Sequence, residues 1–449
     1  MVHAAKSKKR ERQGGFALLL SLIALTILAV LVTDLHETTG MSFSAAIAER
    51  DQLRAEYLAK SGVNLTRMLI GQEKNIRPLV DGLYQMMFKR RAPQLPVWQY
   101  ADMLLKPFAN FDDSKEDVAS AGFSLDLSEG LGETGGTFEI MATSENGKLN
   151  VNDPRMEDSV AAHSNISSML YSLLGGYLPS PNKYDPLFSA FDERGRLTSR
   201  LDVLANVIDW WDVDEQRTNF DPVLGAAQSS GAEDTEYYRT QSPPYTIKNA
   251  PFDTLEELRL VRGISDDVWA TFIEPDLEDP NLRQVTIYGG QFINPNEATP
   301  EVLLGRVCAF PDLREQPLCI DPLEQLKFVN AISIGRIAPI PWFSRASDFV
   351  GFITGQPEGL YGQLARAAEA MGPTVLFQPM EIKNQDTRNK LFRTFSTEGT
   401  MFTIEATGRV GRSQRRIRAV VNTDSKWTPP RPNAGRLPPL GVFAYYRID

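Results

Sequence analysis

Apolar residues along this chain fall into three regimes. Residues 16–32, FALLLSLIALTILAVLV, carry no charge, and at about 1.5 Å per residue such a helix reaches roughly 25 Å, near the lower limit for crossing a bilayer. From Thr33 to about Gln72 no proline occurs, and Phe43, Ile47, Leu53, Tyr57, Leu58, Leu65, Met68 and Leu69 recur mostly three, four or seven apart. Arg50, Asp51, Arg54, Glu56, Lys60 and Arg67 occupy much of the rest. This spacing predicts an amphipathic helix with one buried stripe. Joined to the apolar run it makes a single long helix, in which Gly62 tolerates a bend or close packing.

Beyond it the pattern breaks up. Residues 73–135, with Pro78, Pro93, Pro96 and Pro107, read as short helices and loops. TFEIMAT at 137–143, the turn dipeptide Asn146-Gly147 and KLNVND predict a hairpin. Residues 156–275 read as helices with polar loops, among them LDVLANVIDWW at 201–211. Residues 255–272 read as helix, glycine turn, helix, with Thr254 and Glu257 spaced as a capping box. A second helical block runs from Thr299 to about Ala370. Residues 391–395, 401–407 and 415–422 read as closing strands, and the proline-rich tail from Lys426 as extended. The fold class is α+β: a long N-terminal helix on a small antiparallel sheet, with a large helical insertion.

Length and charge narrow the functional classes. With 449 residues, two to three folded units are expected. A net charge of −10 argues against general nucleic-acid binding, which needs concentrated Lys and Arg. Residues 1–15 carry Lys6, Lys8, Lys9, Arg10 and Arg12 against Glu11, so the basic end and the acidic remainder are expected on opposite sides of a membrane. The two cysteines, Cys308 and Cys319, read either as a short disulfide-closed loop in an oxidising compartment or as two buried thiols.

Three readings of the amino terminus compete. A cleaved secretory signal would use Ala46-Ile47-Ala48, but 13 residues separate it from the apolar run, too far for the usual geometry. A plain single-span anchor leaves Gly14-Gly15-Phe16 without a purpose. The third takes KKRERQGG as a leader cut between Gly15 and Phe16, which leaves the apolar helix on the mature chain. This resembles the class III signal of type IV pilins and type II secretion pseudopilins. Counting from Phe16, the fifth residue is Leu20, where most pilin-like subunits carry a glutamate. That carboxylate pairs with the amino terminus of the subunit above, since an unpaired buried charge is costly. An apolar residue there marks, within the resemblance, a subunit with nothing above it.

GGFALLL, GKLNVND, LANVIDWWDVDEQ, GAEDTEYY, PPYTIKNAPFDTLEELRLVRGISDDVW, INPNEATPEVL and the Arg-rich last strand occur in that order. Together they resemble general secretion pathway protein K, the large minor pseudopilin of type II secretion systems. The resemblance is weakest over residues 73–135 and the tail. It implies a pilin-like scaffold with an inserted, SAM-like or helix-hairpin-helix-like helical domain. The units are then a prepilin leader (1–15), the membrane part of the helix (16–35) and its periplasmic part (36–72). The first scaffold segment (73–155), two helical subdomains (156–284 and 285–375), the closing strands (376–424) and the tail (425–449) follow.

By the same resemblance the chain is expected in the bacterial inner membrane, single-pass, with its bulk in the periplasm. It caps the pseudopilus with minor pseudopilins I and J, helps initiate assembly, and is matured by the prepilin peptidase, which methylates Phe16. Family members bind calcium in the helical domain, and Asp209, Asp212, Asp214 and Glu215 with Glu233 and Asp234 resemble their acidic loops. Calcium takes six to eight oxygen ligands, and the spacing here is not that of an EF-hand. Solvated acid in an acidic protein is the plainer alternative.

Other motifs carry less. LVRGISDDV at 260–268 resembles a helix-hairpin-helix turn, but Asp266-Asp267 stand where phosphate contact needs cations. RVGRSQRRIR reads as the charged face of a strand. Neither HExxH, GxSxG nor GxxxxGK occurs, and no catalytic function is expected. The alternative is a single-span periplasmic binding protein whose helix-hairpin-helix-like region touches DNA or another partner.

Overall fold

One helix sets the frame. The computed structural model describes residues 11–109, 135–152, 159–189, 191, 197–277, 279–337, 341–369, 376–424 and 440–449. In it α1 (Glu11–Phe88) runs for 78 residues, about 117 Å at 1.5 Å per residue. Residues 16–46 are exposed all round, and among the described residues α1 is the one helix long and apolar enough to cross a membrane. Residues 1–10 of the expected leader, the segment 110–134 and the tail portion 425–439 lie outside the described residues.

The helix does not stop near Gln72; it passes through Pro78. A proline removes one intrahelical hydrogen bond, and returning chain holds this stretch from outside. Glu73, 1% exposed, pairs with Arg77 at 2.7 Å and accepts from Leu95 N at 2.8 Å, while Asp81 Oδ1 accepts from Ala92 N at 2.7 Å. A 3-10 turn, Val97–Tyr100, then leads into α2 (Ala101–Ala109).

The predicted stripe is not the buried face of α1: Leu58 is buried, but Phe43, Leu53, Tyr57 and Met68 are exposed, and small residues take their place on the face that packs against a four-stranded antiparallel sheet in the order β1-β6-β7-β8. Its strands are β1 (Gly136–Ser144), β6 (Met401–Val410), β7 (Ser413–Asn422) and β8 (Val442–Ile448). Ala55, Leu58, Ala59, Val63 and Ile70 meet Phe138, Ile140, Phe402, Ile404 and Ala406 in one core. Small residues let the helix approach closely: a β carbon at Gly62 would sit 3.3 Å from Ala406 Cβ.

A larger core lies within residues 149–395. Its first half holds α3 (Val160–Leu173), α4 (Arg200–Trp211), the hairpin β3 (Gln216–Asp221) and β4 (Ala226–Ala232), and α5 (Thr235–Arg239). The segment read as helix, glycine turn, helix is a 3-10 turn, Leu255–Leu260, a turn through Gly263 at φ +91°, and the short helical pieces Asp266–Val268 and Trp269–Ile273. The second half holds α6 (Pro300–Cys308), α7 (Pro317–Ile320), α8 (Pro322–Ile337), α9 (Ala346–Ile353), α10 (Leu360–Glu369) and α11 (Gln385–Thr394).

Two further sequence expectations are overturned. The hairpin at 137–152 does not form: β1 pairs with β6, and β2 (Leu149–Asn150) pairs in parallel with β5 (Val285–Thr286). The Asn146 turn is buried, with its side-chain oxygen accepting from Thr400 N and Met401 N and its carbonyl from Asn294 N. It therefore ties three segments together instead of closing a local ladder. Residues 391–394 end α11, because Asn384 caps that helix by accepting from Asp386 N at 2.9 Å. The described end of the tail is extended, as expected, and pairs with β7 at the sheet edge as β8, where Arg67 donates to the carbonyls of Leu440 and Gly441 and stacks on Phe443 at 4.1 Å.

Cys308 and Cys319 are joined as a disulfide with Cα atoms 5.6 Å apart. Both are buried beside α6 and α7. Closing a loop of 11-residue separation is worth about 3 kcal/mol on the chain-entropy account. Cys308→Ser with Cys319→Ser is expected to lose about that much in denaturant unfolding of the detergent-solubilised chain. An unchanged midpoint would mean that packing alone holds the loop.

Candidate functional site

The end of α4 builds the most acidic site in the described residues. Ser199 caps the helix by accepting from Asp202 N, and Asp202 returns the bond to Ser199 N at 3.0 Å. The helix stops at Asp212, whose backbone turns extended, and the chain enters β3 through Val213, Asp214 and Glu215. Since Gln216 pairs with Ala232 at the open end of the β3–β4 hairpin, Glu233 arrives beside the same loop. Its amide donates to the Glu215 carbonyl at 3.5 Å.

One oxygen each of Asp212, Asp214 and Glu233 lies within 4.8 Å of the other two. Asp212 is wholly buried, with Oδ2 4.0 Å from His163 Nε2. Asp214 Oδ1 accepts from Gln216 N at 2.6 Å, and Glu233 Oε1 is buried with no hydrogen-bond partner among the described residues. Asp209 lies one turn back on α4. Its Oδ1 accepts from Thr218 N at 2.8 Å, whereas its buried Oδ2 finds no partner among the described residues. Glu215 points to solvent, and Asp234 forms an ion pair with Arg262 at the start of α5. The six acids singled out in the sequence thus divide into a triad, a buried neighbour and two set aside.

Sequence reasoning missed two contributors. Asn249 adopts φ +48°, donates to the Asp214 carbonyl at 3.2 Å, and carries a buried side-chain oxygen without a partner among the described residues. Only its place in a KNAP turn hints at this. His163, on α3, packs edge-on against Trp211 at 5.4 Å beneath Asp212, and nothing in the local sequence marks it.

Crowding of carboxylates raises their proton affinity. Burial, then repulsion from Asp209, Asp214 and Glu215, pushes Glu233 up to about 7. Burial pushes Asp209 up to about 6 against the hydrogen bonds from Thr218. Both groups bind protons more tightly folded than unfolded, so they lend stability at low pH that is lost as pH rises through about 6 and about 7. With divalent cations chelated, the melting temperature is expected to fall between pH 5 and 8, and to fall less in Glu233→Gln (about pH 5 to 8 spans both transitions). Parallel pH profiles for the two chains would refute this. All the donors are oxygens, which suits a hard cation of the calcium type, and a divalent charge would relieve the same repulsion.

The remaining motifs make contacts within the fold. Arg259 spans the glycine turn to pair with Asp266 at 2.8 Å and covers the Trp269 ring at 4.0 Å. On β7 Ile417, Ala419 and Val421 are buried, while Arg418 pairs with Glu256 at 3.0 Å and Glu405 at 3.1 Å. Leu20 lies on the exposed apolar part of α1 with Phe16, and Gly15 is in the same helix.

Residues 194–273 match the family model for protein K of the type II secretion system, first domain. The matched segment holds α4, the β3–β4 hairpin and all six acids, and there the resemblance read from the sequence is borne out. A crystal structure described as the GspK-GspI-GspJ complex of the type 2 secretion system from enterotoxigenic Escherichia coli is 14% identical, covers 70% of this chain and 80% of that chain, and aligns with a TM-score of 0.38. No curated protein sequence matches the chain.

Proposed function

We propose that this chain is a minor pseudopilin of the protein K type that caps a type II secretion pseudopilus and helps to start its assembly. The observation that carries the reading is the family match over residues 194–273, on a chain whose apolar N-terminal helix continues into the spine of a sheet-packed scaffold. A helix exposed over residues 16–46 suits a molecule held by the membrane first and by neighbouring helices afterwards. Leu20 offers no carboxylate to a subunit above, which favours the apex of a stack. The chain works by binding and positioning, in the inner membrane with its bulk on the periplasmic side and with pilin-like subunits I and J as partners.

Maturation by a prepilin peptidase would cut between Gly15 and Phe16 and methylate the new terminus. Calcium is the ion proposed for Asp212, Asp214 and Glu233, supported by the buried unpartnered oxygens of Glu233, Asp209 and Asn249. It would pin the end of α4 to the β3–β4 hairpin.

Sequencing of the mature amino terminus tests the first reading: a start at methylated Phe16 supports it, and an intact Met1 or a start at Glu49 overturns it. Co-purification of the full chain with subunits I and J tests the partnership. Calorimetric titration with calcium tests the ion separately. Heat and a raised melting temperature that vanish in Asp212→Asn with Glu233→Gln are expected; no heat at all would remove the claim.

A further inference from the structure

Five arginines fall within residues 409–418, and no acid does. They frame the turn between β6 and β7, which lies against α1. A β carbon at Gly411 would sit 3.8 Å from Asp51 Oδ2, and Arg415 Nη2 donates to Gln52 Oε1 at 3.4 Å. The chain entering β6 lies farther along the helix, where Glu398 pairs with Arg77. The β6–β7 turn therefore closes the end of the sheet that faces the apolar run 16–32. The Asn146 turn, which ties in the helical region, closes the other end.

Most of the charges at this turn are answered. Arg409 pairs with Glu139 at 2.7 Å, Arg416 with Glu405, Arg418 with Glu256 and Glu405, and on α1 Arg50 with Asp51 at 2.9 Å. Three are not. Arg412 in the turn and Arg54 on α1 are exposed and make no ion pair or hydrogen bond among the described residues, and Arg415 reaches only the neutral Gln52. Against them α1 sets one exposed carboxylate in the preceding turn, Glu49. Leu53 and Tyr57, on either side of Arg54, are 52% and 66% exposed, and at a spacing of four they share a face of the helix.

Like charges brought together raise the local positive potential, here on a chain whose net charge is −10. Exposed arginine and tyrosine are the side chains that most often anchor protein interfaces, and the charges around them steer and orient a partner. Carboxylates answer such a surface, and its position identifies their bearer. From Val32, where the apolar run ends, to Asp51 the helix rises about 28 Å, more than three Debye lengths at physiological salt, about 8 Å each. Lipid headgroups are out of reach of an upright helix, whereas a subunit stacked below along α1 is not.

We propose that this end of the scaffold is where the chain sits on one pilin-like subunit beneath it, whose carboxylates meet Arg54, Arg412 and Arg415 and whose apolar side chains cover Leu53 and Tyr57. The proposal rests on the tip reading, which supplies a subunit below and none above, and it is independent of the calcium site.

The test titrates the full chain in detergent with purified subunits I and J, singly and together, at about 0.1 M and about 1 M salt. Arg54→Glu with Arg412→Glu should weaken capture about tenfold or more at the lower salt. Its melting temperature should not change, since neither arginine is paired within the fold. At the higher salt the wild type should weaken toward the variant. Lys383→Glu with Lys390→Glu, exposed beside and on α11, makes the same change in net charge and should bind like the wild type. A photo-crosslinker at the exposed Gln414 should add the mass of subunit I or J in membranes that hold all three. Capture by the wild type with no loss in the arginine variant, or with an equal loss in the lysine variant, overturns the proposal and leaves the tip reading standing. Crosslinking to phospholipid alone assigns the arginines to the membrane and also overturns it. A wild type that captures neither subunit at either salt brings down the tip reading and the proposal together.

Discussion

Leucine in place of Gly408 is expected to undock α1 from the sheet. A β carbon at this position would lie 2.0 Å from the Ala55 carbonyl oxygen and 2.9 Å from both Ala55 C and Ala59 N. All three are backbone atoms of α1, so no side chain can swing aside. The helix must retreat, and with it Leu58, Val63 and Ile70, which fill the core against Phe402, Ile404 and Ala406. Overpacking a tight core costs about 1–3 kcal/mol when side chains can adjust, and more when backbone must move, so a loss of about 3 kcal/mol or more is expected. Denaturant unfolding measures the loss, and limited trypsin cleavage at Arg54, Lys60 and Arg67 reports the undocking. Gly82→Ala is the control: nothing lies within 4 Å of its β carbon, and removing a helix glycine should stabilise by up to about 1 kcal/mol. Unfolding of Gly408→Leu at the wild-type midpoint would show that the helix and sheet are not in this contact.

The elements legible in the sequence are those whose pattern is local. The recurrence of apolar residues from Phe43 to Leu69 identifies α1 as a helix, though not the face it buries, and the alternation of Ile417, Ala419 and Val421 identifies β7. What escaped depends on distant chain. The partner of β1 lies more than 250 residues away, as in the pairing of Ser144 with Phe402, and Asn146-Gly147 looks like a hairpin turn until Thr400 and Asn294 claim its polar groups. The β3–β4 hairpin buries only Thr218, Phe220, Ala227 and little else, too few apolar positions for a strand signal.

The candidate site shows the same division. Acidic residues are visible in a sequence, but which of them converge is set by the hairpin that returns Glu233 to the end of α4. That geometry gathers Asp212, Asp214 and Glu233, turns Glu215 outward and gives Asp234 to Arg262. Asn249 joins from a turn whose positive φ has no signature beyond the residue type.

Methionine in place of Lys148 should damage the fold as severely as a core truncation, although the residue is charged. Glu145 and Lys148 are 7% and 3% exposed and 2.9 Å apart. Glu145 Oε1 also accepts from Thr403 Oγ1 at 2.7 Å, and Oε2 from Thr286 Oγ1 at 2.6 Å. One carboxylate therefore joins the end of β1 to β6 of the sheet and β5 of the helical region. Burial opposes its ionised form, but Lys148 and the two hydroxyls outweigh that and hold it below the usual carboxylate range. A carboxyl lowered in this way contributes stability above its unfolded value, lost as pH falls through the folded one. Removing only the ammonium strands a buried charge, which costs about 3–5 kcal/mol. Glu145→Gln in the Lys148→Met background should recover much of that, because a neutral amide can accept from one of the Thr286 and Thr403 hydroxyls and donate to the other. Denaturant unfolding of the four chains of this cycle gives the coupling between the two sites. Additive losses would mean that Glu145 and Lys148 act separately, and that this carboxylate is not what ties the sheet to the helical region.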